Sequence, residues 1–60
     1  MDDFKMVVGK TVLLREKGTE RIIEVLVVKT SPSGRYAKIC DGTLSWWIDT
    51  AEYAILEEVG

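Results

Sequence analysis

The feature that most constrains this chain is a hairpin written into residues 35–48. Arg-Tyr-Ala-Lys-Ile-Cys runs into Asp41-Gly42, and Thr-Leu-Ser-Trp-Trp-Ile follows. Asp-Gly between two alternating apolar runs is a strong short-range hairpin signal, because a type I′ turn needs positive φ at both central residues. With Asp41 and Gly42 as those residues, Cys40 faces Thr43, Ile39 faces Leu44, Lys38 faces Ser45, Ala37 faces Trp46 and Tyr36 faces Trp47. One face then carries Ala37, Ile39, Leu44, Trp46 and Ile48 and reads as core. The other carries Tyr36, Lys38, Ser45 and Trp47, which puts an aromatic pair on the solvent side.

A second turn reinforces the first. In Ser31-Pro32-Ser33-Gly34, proline presets φ at the second position of a type I turn and glycine suits the left-handed region at its end. Three loop residues pair Ser31 with Arg35 and Thr30 with Tyr36; further back, Val28 faces Lys38 and Val27 faces Ile39. This register comes from a different turn, yet it gathers Val25, Val27, Ala37 and Ile39 on one face. It also lines up Val28, Tyr36 and Trp47 across three strands on the outer face, with Leu26 and Cys40 one step along.

Strand signals fill the rest of the chain. Thr11 to Arg15 is a first strand with Val12 and Leu14 inward, and Glu16-Lys17-Gly18-Thr19 is a turn. Residues 20–30 are rich in Ile and Val, whose β-branched side chains favour a long strand over a helix. Asp49 can cap a single helical turn before a fifth strand, Ala54 to Val59. Five short strands with tight hairpins describe a small curled meander, since a flat sheet would leave long apolar edges bare.

Size and composition narrow the function classes. Sixty residues make one domain, spanning 1–60, and bury only roughly 60% of the unfolded surface. A single cysteine and no histidine exclude an internal disulfide and a zinc site on ligand count, so no metal or cofactor is expected. Oligomerisation remains as a source of added stability. The 47% hydrophobic and 30% charged content favours a folded domain over disorder. No run is long enough to span a membrane, and the acidic Met-Asp-Asp-Phe-Lys start is unlike a signal peptide. A cytoplasmic, reducing setting is the expectation. The net charge of −2 disfavours a general nucleic-acid binder. The charge is uneven, however: residues 29–40 hold Lys29, Arg35 and Lys38 and no acid, while residues 41–60 hold five acids and no base.

Over nearly its whole length the chain resembles the SH3-like barrel architecture, a five-stranded all-β meander with one short 3₁₀ turn before the last strand. It is also similar to short phage and prophage proteins that share a Ser-Pro-Ser-Gly-Arg-Tyr turn and a later Trp-Ile-Asp, here Ser31 to Tyr36 and Trp47 to Asp49. Trp46-Trp47 and Ala51-Glu52-Tyr53 invite comparison with signalling SH3 domains, which bind proline-rich peptides. There the tryptophan pair opens the third strand, and a whole strand separates it from the tyrosine. Here Trp47 and Tyr53 are six positions apart, and neither Ala-Leu-Tyr-Asp-Tyr nor Pro-Ser-Asn-Tyr occurs. The resemblance implies the fold and not that peptide site.

Catalytic chemistry finds no foothold. The usual general base is missing, and Cys40 has no identifiable activator. Glu57 and Glu58 are adjacent on a strand and point to opposite faces. Gly9-Lys10-Thr11 echoes a phosphate-binding loop but lacks the upstream glycine and the helix. The expected function is a non-enzymatic interaction module for a protein partner or a second copy. Its candidate site is Val28, Arg35, Tyr36, Lys38 and Trp47, residue types that interfaces favour. Three other readings stay open. Tyr36 and Trp47 form only a structural cross-strand pair, or Phe4-Lys5-Met6-Val7 folds over them. The alternative function is single-stranded nucleic-acid binding, with bases stacked on aromatics beside the basic residues.

Overall fold

The computed structural model describes residues 6–59, which form five antiparallel strands. They are β1 (Thr11–Glu16), β2 (Ile22–Thr30), β3 (Tyr36–Cys40), β4 (Ser45–Asp49) and β5 (Tyr53–Glu58), with a 3₁₀ turn, η1, at Thr50–Glu52. All five lie in one sheet in the order β4-β3-β2-β1-β5. β1 is therefore flanked by β2 and by the last strand, and the sheet is open between β4 and β5.

The covalent link between those two edges forces the sheet to curl. In a flat sheet they would stand four strand spacings, about 19 Å, apart. The chain from Asp49 to Tyr53 spans at most about 14 Å even when extended, and η1 is far from extended. Main-chain bonds hold η1 to both sides: Thr50 N–H donates to Arg35 C=O (2.8 Å) and Lys17 N–H donates to Glu52 C=O (2.9 Å). The extents of 25 × 23 × 20 Å fit a sheet wrapped on itself rather than a flat slab.

The wrapped inner face is the core. Val12 and Leu14 of β1, Val25 and Val27 of β2, Ala37 and Ile39 of β3 and Ile48 of β4 are buried together. Met6, Ile23, Tyr53 and Ile55 pack against them from partly buried positions. Two expected core residues depart from this. Leu44 is 66% exposed and Trp46 is 36% exposed. Trp46 lies on an edge strand, and Leu44 lies in the turn just before it.

Both turns form with small, instructive shifts. At the tip of β3–β4, Asp41 N–H donates to Leu44 C=O (3.0 Å), so the two central residues are Gly42 and Thr43 rather than Asp41 and Gly42. The Asp41 carboxylate is the cause. Its Oδ1 accepts from Thr43 N–H (3.4 Å) and Leu44 N–H (3.2 Å), which holds Asp41 at the first position of the turn. Gly42 at φ +114° takes the first central position, as type II′ turns require. Moving the tip by one residue moves the pairing by two. Tyr36 faces Asp49, Ala37 faces Ile48, Lys38 faces Trp47, Ile39 faces Trp46 and Cys40 faces Ser45. A two-residue slip leaves every side chain on its expected face.

At the other hairpin two deviations cancel. Gly34 N–H donates to Ser31 C=O (2.9 Å) and Gly34 lies at φ +80°, as the turn chemistry predicts. The loop is one residue longer than expected, because Ser31 Oγ accepts from Tyr36 N–H and Ser33 Oγ accepts from Arg35 N–H. Thr30 consequently faces Ala37. A bulge at Val28 then restores the predicted pairing of Val27 with Ile39 and Leu26 with Cys40. Burial explains the correction: without it, Val25 and Val27 would leave the core face.

Candidate functional site

Of the expected interaction residues, Tyr36, Lys38 and Trp47 lie on the outer face of β3 and β4, Val28 lies at the bulge of β2, and Arg35 lies in the loop just before β3. Tyr36 and Lys38 bracket buried Ala37, and Trp47 sits beside buried Ile48. Val28, Tyr36 and Trp47 are all exposed, at 41–49%. They do not form the straight row that the sequence suggests. The shifted turn puts Lys38, not Tyr36, opposite Trp47, and Tyr36 lies on the diagonal, facing Asp49. Val28 is the extra residue of the bulge, and Lys29 takes the pairing position opposite Lys38. The surface is therefore a basic centre of Lys29 and Lys38 with apolar groups around it. Like charges directly opposed in a sheet are unfavourable.

Arg35 is not part of that basic centre. Its guanidinium donates twice to Asp49 Oδ2, from Nε (3.3 Å) and Nη2 (3.2 Å). It also lies 5.4 Å from the centre of the Tyr36 ring, within cation–π range. Asp49 Oδ1 caps η1 by accepting from Ala51 N–H (2.9 Å). That hydrogen bond chiefly holds the Asp49 carboxyl below its usual range. Partial desolvation opposes it, and the hydrogen bond and charge of Arg35 reinforce it. The same carboxylate thus closes the turn and pins Arg35 over Tyr36, a link hidden from the sequence because the expected register put Trp47, not Asp49, opposite Tyr36.

The expectation that Phe4-Lys5-Met6-Val7 folds over the outer pair falls partly outside the described residues, since Phe4 and Lys5 are not among them. Met6 packs on the inner cluster, not on the outer face, and Val7 is exposed. Trp46 also has a setting that the sequence analysis did not foresee. It lines a shallow cleft of about 150 Å³ at the open end of the core, with Glu16, Arg21, Ile23 and Tyr53. Cys40 is half-buried on the outer face between Leu26 and Ser45. Among the described residues there is no group of three metal-ligating side chains. No helix among them is long and apolar enough to cross a membrane, which says nothing of a β-barrel in a membrane. Set against protein families, curated proteins and solved structures, the chain finds no match.

Proposed function

We propose that this chain is a small SH3-like barrel that works as a non-enzymatic, cytoplasmic interaction module. It binds a protein partner, its own copy included, through Val28, Arg35, Tyr36, Lys38 and Trp47. The observation that carries this is the placement of Trp47 and Tyr36. Both large aromatics stay on the outer face beside Lys38, where the core makes no use of them. Arg35 is held over Tyr36 by Asp49, so part of the surface is ordered in advance, which lowers the entropic cost of binding. The barrel assignment draws support from the strand order, with β1 between β2 and β5, and from the 3₁₀ turn ahead of the last strand.

The double substitution Tyr36→Ser with Trp47→Ser tests this. It should abolish association, measured by sedimentation and by pull-down from the source cell, and leave the β-sheet circular dichroism largely intact. Unchanged association would remove the outer face from consideration. A second reading rests on Lys29 and Lys38 side by side next to Trp47: a single strand of nucleic acid stacked on the indole. Binding to a random oligonucleotide that is released by moderate salt would favour it.

A further inference from the structure

Among the described residues the two free edges of the sheet are β4 and β5, and only one of them is guarded. In β3–β4 the bonds Asp41 N–H to Leu44 C=O and Thr50 N–H to Arg35 C=O fix the alternation of the ladder. Even-numbered residues of β4 direct their main-chain groups at β3. Ser45, Trp47 and Asp49 direct theirs at the open edge. From Leu44 to Ile48 this strand has no charge, no proline and no bulge, the devices that keep an edge from pairing. Leu44, Trp46 and Trp47 are exposed along it. The β5 edge carries a bulge at Leu56 and ends in Glu57 and Glu58.

We infer that β4 pairs antiparallel with β4 of a second copy, about a two-fold axis at Trp47, to make a closed dimer with one continuous sheet. This rests on the interaction reading above and names its partner and geometry. The strand is complementary to itself in that register. Trp47 meets its symmetry mate on the outer face, and Trp46 meets Ile48 on the inner one; aromatic–aromatic and aromatic–β-branched pairs are favoured across strands. Asp49 meets the uncharged Ser45, and Arg35 already neutralises its carboxylate. The two Lys38 side chains stand three strand spacings apart, about 14 Å, beyond the screening length in physiological salt. β5 pairing with β5 would instead oppose carboxylates. β4 pairing with β5 would leave a free edge at each end and build open chains.

Sedimentation equilibrium from about 10 μM to about 1 mM should show a monomer–dimer transition, as expected for a small interface. Ser45→Pro removes an N–H that β3 does not use, and should weaken the dimer at least about tenfold with little change in circular dichroism. Trp47→Lys and Trp47→Glu should each be monomeric alone and form a one-to-one dimer when mixed, because only a self-opposed position is rescued by opposite charges. If Ser45→Pro fails to fold, the charge pair still decides. A wild-type monomer at the highest concentration, mass growing beyond the dimer, or no rescue on mixing would overturn the inference. Association lost in Tyr36→Ser with Trp47→Ser but kept in Ser45→Pro would also overturn it, and would leave the outer-face reading standing.

Discussion

β4 and β5 occupy equivalent places at opposite edges of one sheet, yet they meet solvent in different ways. β4 buries one residue, Ile48, and leaves both tryptophans exposed with no charge between Leu44 and Ile48. β5 turns Tyr53 and Ile55 partly inward, breaks its ladder with a bulge at Leu56 and finishes in two glutamates. Bulges and like charges are standard protection against edge-to-edge pairing. One edge is thus protected, and the other is uncharged, aromatic and exposed. The difference also divides the strands by role. β5 packs beside β1 with three half-buried residues, and β4 shows most of its side chains to solvent.

The largest test of that division is in the core. Ile48 is the one buried anchor of β4, so Ile48→Ala should cost about 2–5 kcal/mol in urea denaturation. Ile55 is only half-buried, so Ile55→Ala should cost less, about 1–2 kcal/mol. The reverse order would mean that β5, not β4, hangs on a single residue. An intermediate effect separates the adjacent tryptophans. Trp46 lines the cleft at the mouth of the core, so Trp46→Ala should cost about 1–3 kcal/mol, while Trp47→Ala should cost under about 1 kcal/mol in dilute solution. Acrylamide should quench Trp47 in Trp46→Phe more readily than Trp46 in Trp47→Phe; the opposite order would exchange the two faces of β4.

The smallest effect sharpens how β4 ends. Asp49 has a folded-state pKa below its unfolded value near 3.9. Its ionised form therefore stabilises the fold fully above that pH, and the contribution is lost as pH falls through the depressed value. Asp49→Asn keeps an acceptor for Ala51 N–H but removes the pair with Arg35. The variant should be slightly less stable at neutral pH, and the gap should narrow in thermal melts below about pH 4. A gap that stays constant down to about pH 2 would make the carboxylate's charge irrelevant and leave the cap alone as its role.

Much of the fold was legible because it rests on local rules. Gly34 and Gly42 have the positive φ that their turns demand. Val12, Leu14, Val25, Val27, Ala37, Ile39 and Ile48 lie where a period of two sends them. The candidate site was legible only in part. Tyr36 and Trp47 are on the outer face, as parity requires, but their straight row with Val28 is not there. Parity survives a two-residue slip; cross-strand partners do not. The slip came from a competition that the sequence does not rank, a glycine-led turn starting at Asp41 against one centred on it, and side-chain hydrogen bonds to Thr43 and Leu44 decided it.

The sequence by itself determined the five strands, the turns that join the first four and the face of the core side chains, while the docking of β5 on β1 was not legible in it. Each legible feature follows from turn chemistry and alternation within about ten residues of chain. Tertiary structure alone decided how far burial extends, which strands form the edges and which charges meet. Trp46 is half-open because, among the described residues, no strand lies beyond β4, and Arg35 is tied to Asp49 because the shifted β3–β4 register sets Asp49 opposite Tyr36. Burial and ion pairing depend on what arrives from elsewhere in the chain, and a periodicity of two carries no record of that.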